Sequence, residues 1–132
     1  MNKIIILLLI STISFANPFA KPSEAHGILR LNQPNLSADI FPVKLFEIDG
    51  KQVLNRESGV WLKPGTHSIR VSAVINASSR STTITRLQKS YNKDKKTLEI
   101  NVEEGNVYYV GYDASDKNPN NWKPVVWKVK SL

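Results

Sequence analysis

The chain has 132 residues, with 18 Lys and Arg against 11 Asp and Glu, a formal net charge of +7 and no cysteine. This length suits one domain with an apolar core of its own. The lack of cysteine excludes disulfide scaffolds, thiol catalysis, iron–sulfur clusters and cysteine-ligated zinc, so packing alone has to stabilise the domain.

Residues 1–16 have the pattern of a secretory signal peptide. Lys3 supplies the positive start, residues 4–10 form an unbroken apolar run, and Ser14 and Ala16 place small residues at a cleavage site. The run is too short to span a bilayer, which needs about 20 residues. No cysteine follows for lipid attachment. We therefore expect a periplasmic or secreted bacterial protein without a membrane span.

Short alternating apolar runs, separated by Gly, Pro and Asn, predict β-strands after a lead-in at residues 17–26 that is expected to be flexible. Asp49-Gly50 predicts a hairpin, because both turn positions need positive φ. Pro64-Gly65 predicts a type II turn, and Pro124 indicates a strand that begins at a sheet edge. The predicted strands are residues 27–32, Val43–Ile48, 51–54, Gly59–Leu62, 67–75, 98–102, 107–112 and 122–130, with 81–87 as a candidate edge strand.

The spacing of these strands indicates the fold class. Seven or eight short strands with frequent turn signals, and no stretch with a helical period, predict an all-β protein. We expect a single antiparallel β-sandwich over residues 27–132.

A strand, a Pro-Gly turn and a second alternating strand follow one another in residues 60–71 (VWLKPGTHSIRV). Residues 98–111 continue with alternating apolar positions, a Gly turn and a Tyr-Tyr pair. These motifs resemble the PEGA-type β-sandwich domain over about half of the chain that follows the leader. Residues 63–66 depart from the family by reading Lys-Pro-Gly-Thr, the insert between the two halves is longer, and residues 122–127 are an added tail.

The chain as a whole also looks like small secreted proteobacterial proteins of uncharacterised function. The two resemblances imply an extracytoplasmic, non-catalytic β-domain and supply no functional residues.

Residues suited to catalysis are scarce. A hydroxyl nucleophile needs an adjacent base, and the two histidines are His26, in the lead-in, and His67, which we expect on the outward side of its strand at the surface. Glu103 and Glu104 are neighbours that would point to opposite faces of a strand, which is poor geometry for an acid–base pair. We therefore expect no enzyme activity and no cofactor.

The polar loop at residues 113–121 is the best metal candidate. Asp116, Asn118 and Asn120 place oxygen atoms at alternate positions, as calcium loops do. However, Asn121 stands where calcium loops have glycine, and no bidentate acid follows. The same residues are ordinary turn formers. A simple loop is the favoured interpretation, with calcium binding as the alternative.

The strongest binding signal is a basic segment, residues 86–96, in which Asp94 is the one acid. A projecting connection of this charge would attract an anionic envelope component, such as lipid headgroups or lipopolysaccharide, or an acidic protein. Nucleic acid is not an expected partner in this compartment. The alternative is a solvated connection kept soluble by its charge. The candidate binding residues are Arg86, Lys89, Tyr91, Lys93, Lys95, Lys96 and, at the end of the polar loop, Trp122.

Aromatic residues support a second hypothesis, a carbohydrate-binding module, because Trp and Tyr rings can stack on sugars. Alternation places Tyr108 and Tyr112 on one face of their strand and Tyr109 on the other, together with Trp127. We expect Trp61 and Trp127 in the core. Trp122 is expected to be exposed and, with Tyr108 or Tyr112, would form the sugar-binding surface. The leading hypothesis remains a non-enzymatic binding protein of the cell envelope, with a glycan-binding module as the alternative.

Overall fold

The computed structural model describes residues 17–53, 59–74 and 96–132. In this part of the chain the strands are joined by turns, loops and two short 3-10 turns, and no helix there is long and apolar enough to cross a membrane. The strands are β1 (Gly27–Arg30), β2 (Ile40–Phe41), β3 (Val43–Ile48), β4 (Lys51–Gln52), β5 (Gly59–Leu62), β6 (Gly65–Ala73), β7 (Lys96–Val102), β8 (Asn106–Asp113) and β9 (Lys123–Ser131).

The strands form two sheets, which confirms the all-β prediction. Among the described residues, the first sheet has five strands, with β9 on one side of β8, β1 and β2 on the other side, and β5 beyond β1. The second sheet has four antiparallel strands in the order β4-β3-β6-β7. The pairing of β1 with β8 is parallel, a departure from the antiparallel sandwich that we expected.

One apolar core lies between the two sheets. Leu29, Leu62 and Val110 of the five-stranded sheet have no exposed surface. Ile69 and Val71 of the four-stranded sheet are equally buried and belong to the same core cluster. The two sheets therefore stabilise each other by burying one face each, as in a β-sandwich.

The predicted turns have distinct roles. Asp49 and Gly50 have φ values of 51° and 81° and join β3 to β4 in the predicted hairpin. Gly65, at φ 130°, follows the Pro64 turn. That turn does not close a hairpin, because β5 and β6 belong to different sheets. It carries the chain from the five-stranded sheet to the four-stranded sheet.

The edges of the five-stranded sheet differ. Along β5, the backbone N–H of Ala20 donates to the Trp61 carbonyl, and that of Lys63 donates to the Pro18 carbonyl. Residues of the lead-in at 17–26, which the sequence predicted to be flexible, therefore lie along this edge and bond to β5. In the described chain β9 pairs with β8 alone, as Pro124 predicts for an edge strand.

The leader at residues 1–16 and the candidate strand at 81–87 lie outside the described residues.

Gly27 allows a close approach between the two sheets. A Cβ atom at this position would lie 2.5 Å from Val102 Cγ1 and 2.9 Å from the Glu103 carbonyl oxygen. We expect Gly27→Ala to lower the free energy of unfolding by about 1–3 kcal/mol through overpacking. Urea denaturation measures this change. The control is Ser131→Ala at an exposed position, with a change within about 0.5 kcal/mol; equal stability of the two variants would contradict the close packing.

Candidate binding face

The cross-strand register assigns the two faces of the five-stranded sheet. Leu29 pairs with Val60 and with Tyr108, and all three side chains belong to the core. Successive side chains of a strand point to opposite faces, so the neighbours of these residues point away from the core. We call this second surface the outer face. Its aromatic and cationic side chains include His26, Arg30, Trp61, Tyr109, Trp127, Lys128 and Lys130.

Trp61 lies on the outer face of β5 and is 38% exposed. Its ring stacks on His26 with centroids 4.9 Å apart and ring planes 18° apart. The expectation that Trp61 belongs to the core is therefore wrong. Val60 and Leu62 take the inward positions of this short strand and leave the intervening tryptophan outward.

Trp127 occupies a β-bulge in β9. Tyr109 and Val110 are consecutive in β8, yet their partners are Lys128 and Val126, so Trp127 is the extra residue. Its ring centroid lies 5.7 Å from that of Tyr109, with 57° between the ring planes. The predicted placement of Tyr109 and Trp127 on one face is confirmed. The expected burial of Trp127 in the core is wrong, because Trp127 is half-buried and outside the core cluster.

Cations accompany the rings of the outer face. Arg30 is the cross-strand neighbour of Tyr109, and Lys128 Nζ lies 5.4 Å from the Tyr109 ring centroid. Of the described strand residues that the register places on this face, only Asp113 is acidic, and its neighbour across the strands is Lys123. The face therefore carries a positive charge beside exposed aromatic surface.

Of the binding residues predicted from the sequence, the structure describes two, Lys96 and Trp122. Lys96 begins β7, where its Nζ donates a hydrogen bond to the Trp122 carbonyl oxygen at 2.6 Å. This Nζ also lies 5.9 Å from the Tyr112 ring centroid. Lys96 and Trp122 are thus brought together, and the lysine links the start of β9 to β7. The other predicted residues, Arg86, Lys89, Tyr91, Lys93 and Lys95, lie outside the described residues.

Trp122 is 3% exposed, so the expectation of an exposed tryptophan is wrong. Its Nε1 donates a hydrogen bond to the Asp116 carbonyl oxygen at 2.8 Å, and its ring belongs to the core cluster. Tyr108 and Tyr112 are buried as well. The predicted sugar-binding surface of Trp122 with either tyrosine is therefore also wrong. The ring is covered because the polar loop folds back onto it.

The oxygen atoms of the polar loop take part in its own turns. Asp116 Oδ1 accepts a hydrogen bond from the Asn118 backbone N–H, and Asn118 Oδ1 accepts one from the Asn120 backbone N–H. These bonds support the interpretation of the loop as ordinary turns. Within the described ranges, no group of three or more His, Cys, Asp or Glu side chains is placed to hold a metal. The loop, with Lys96 and Lys123, borders an open polar cleft of about 810 Å³.

His67 is 7% exposed, so its predicted surface position is wrong. It shares the inward side of β6 with Ile69. Its Nδ1 lies 2.6 Å from Asp49 Oδ2, and its Nε2 lies 2.7 Å from the Lys63 carbonyl oxygen. Asp49 Oδ1 in turn accepts a hydrogen bond from the Ser68 backbone N–H. The imidazole therefore ties the β3–β4 turn to the connection between the sheets, and both of its nitrogens are engaged.

Comparisons with protein-family models, curated proteins and solved structures found no match to this chain. The resemblance to the PEGA-type sandwich thus depends on the sequence motifs alone. The functional interpretation has to be built from the geometry of the outer face.

We expect His67→Phe to destabilise the fold, because the Asp49 carboxylate and the Lys63 carbonyl would lose their imidazole partner. The expected loss of unfolding free energy is about 1–3 kcal/mol, measured by thermal and urea denaturation. His26→Phe is the matched control: its ring is only partly buried, and we expect a change within about 0.5 kcal/mol. Equal losses of unfolding free energy in the two variants would show that the contacts of His67 with Asp49 and the Lys63 carbonyl contribute nothing to stability.

Proposed function

We propose that this chain is a secreted, non-enzymatic binding protein of the bacterial cell envelope, and that its outer face contacts an anionic component. The observation that carries the proposal is the combination of Arg30, Lys128 and Lys130 with the exposed Trp61 ring and the half-buried Tyr109 ring on one sheet face. Rings contribute contact area at a low entropic cost, and cations contribute attraction to polyanions. Binding is the activity that such a surface can perform.

The environment of the two histidines supports a non-enzymatic role. His67 is buried, and both of its nitrogens are engaged by Asp49 and the Lys63 carbonyl. His26 stacks on Trp61, and its Nδ1 lies 2.7 Å from the Glu24 carbonyl oxygen. A general base must reach the proton of a nucleophile through a free nitrogen. His67 therefore has no nitrogen left for this task, and the His26 ring packs on Trp61.

The charge of the whole chain supports an anionic partner. Its net charge of +7 favours association with polyanions in general, and the basic segment adds cations to those of the outer face. Residues 86–95 of this segment lie outside the described residues, so they support the proposal through their sequence alone. Attraction between exposed charges weakens as the Debye length falls from about 30 Å at 0.01 M salt to about 8 Å at physiological ionic strength. Association through these cations should therefore depend strongly on salt.

We expect the triple variant Arg30→Gln, Lys128→Gln and Lys130→Gln to bind isolated cell envelopes about 10- to 100-fold more weakly at low salt. Each cation near an anionic surface contributes about 1 kcal/mol, and 1.4 kcal/mol corresponds to tenfold in affinity. Co-sedimentation with envelopes across a salt series measures the change.

The matched control removes the same charge from the other sheet. Lys44→Gln, Lys51→Gln and Arg70→Gln neutralise one arginine and two lysines that are exposed on β3, β4 and β6. This control should bind nearly as well as the unmodified protein. Equal losses in the two variants would show that only total charge matters, and unchanged binding in both would overturn the proposal.

A further inference from the structure

The outer face holds two separate groups of rings in fixed register. Trp61 with His26 lies on β5, and Tyr109 with Trp127 lies on β8 and β9. β1 runs between β5 and β8 and presents Arg30. Trp61 is level with Val107 across β1, and Tyr109 lies two residues further along β8. With strands about 4.8 Å apart and a rise of about 3.3 Å per residue, the two ring groups are about 12 Å apart on a diagonal across the sheet. A ligand that contacts both groups has to be extended and must cross the strands.

The guanidinium between the ring groups suits a carboxylate. Arg30 is exposed, and its Cδ lies 3.8 Å from the position of a Cβ added to Gly59, so its stem runs over a residue without a side chain. A planar guanidinium binds carboxylate or phosphate with two parallel hydrogen bonds. Lys128, above the Tyr109 ring, adds a second cation on the far side.

We propose that the outer face binds an acidic polysaccharide, with sugar rings lying against Trp61 and Tyr109 and an acidic group paired with Arg30. A pyranose ring has a flat face of C–H bonds that packs on an aromatic ring, and its acidic substituents extend sideways. A polysaccharide repeats such sugar rings along its length. Two of them can therefore contact the two aromatic groups while an acidic substituent between them pairs with Arg30. This inference rests on the proposed function and names the ligand class of the same face.

Insertion into a lipid surface fits the outer face less well. Among its described aliphatic residues, Ile28 and Val107 are 7% and 6% exposed and are covered, and Ile40 and Val125 are half-buried, so this part of the face presents no fully exposed aliphatic side chain to a bilayer. Single-stranded nucleic acid would stack on the same rings and pair with the same cations. It is therefore a competitor that the experiment has to distinguish.

The test measures binding of the unmodified protein and its variants to polygalacturonate, an acidic polysaccharide, by isothermal titration calorimetry at one salt concentration. We expect Trp61→Ala to weaken binding about tenfold through the lost ring contact. Arg30→Lys keeps the charge but loses the paired hydrogen bonds, and should weaken binding severalfold. The matched aromatic control is Phe46→Ala on the four-stranded sheet, with no expected change in affinity. Thermal denaturation verifies that each variant is folded.

Three further probes identify the ligand class: neutral dextran, single-stranded poly-dT and phosphatidylglycerol vesicles. Weaker binding of all three than of polygalacturonate supports the inference. Equal or tighter binding of poly-dT or of vesicles overturns it in favour of that ligand.

Loss of envelope binding in the charge variant, with no effect of Trp61→Ala on polygalacturonate binding, overturns the inference and leaves the proposed function standing. Full envelope binding by the charge variant overturns both.

Discussion

The five-stranded sheet has two apolar faces, and the described residues supply one partner sheet, which covers one of them. Val107 and Val110 of β8 are both buried, although alternation places them on opposite faces. The four-stranded sheet covers the inner face. Aromatic rings and long cationic side chains occupy the outer face, and such side chains can lie over apolar surface while their polar ends reach water. This constraint explains why aromatic rings and long cationic side chains cover the outer face.

The scaffold gives the outer face a fixed geometry. Trp61 and Tyr109 project from β5 and β8, which both pair with β1, so the distance between them is set by the sheet rather than by a loop. The bulge at Trp127 turns that ring toward Tyr109. Residues on rigid elements lose little conformational freedom when they bind a ligand. The face is also separate from the core, so its charge can be altered while the packing between the sheets stays intact.

The local sequence pattern predicted much of the fold. The bounds of Val43–Ile48 and Gly59–Leu62 match the structure, and the Asp49-Gly50 hairpin is confirmed, because strands and tight turns depend on neighbouring residues. Alternation also predicted the two faces of β8. The parallel pairing of β1 with β8 could not be predicted, since alternation assigns a face but does not identify a neighbouring strand.

The errors at the candidate site have specific causes. His67 is two residues before Ile69, so its inward position was present in the period-two pattern and was misassigned. Trp61 was assigned to the core by residue type, although its neighbours already occupy the inward positions. Trp122 could not be predicted in the same way, because its burial depends on how the polar loop folds back. Long-range loop geometry has no simple sequence period.

The three tryptophans provide the most direct measurement of the central claim, that the outer face is the binding surface. Their indole N–H groups can be followed separately by two-dimensional NMR while an acidic polysaccharide is added. Trp61 is exposed on the outer face, the Nε1 of Trp127 is buried although its ring borders the same face, and Trp122 is buried and bonded to the Asp116 carbonyl oxygen. The account predicts that the Trp61 signal shifts most and that the Trp122 signal stays. A shift of Trp122 alone, or of none of the three, would contradict it.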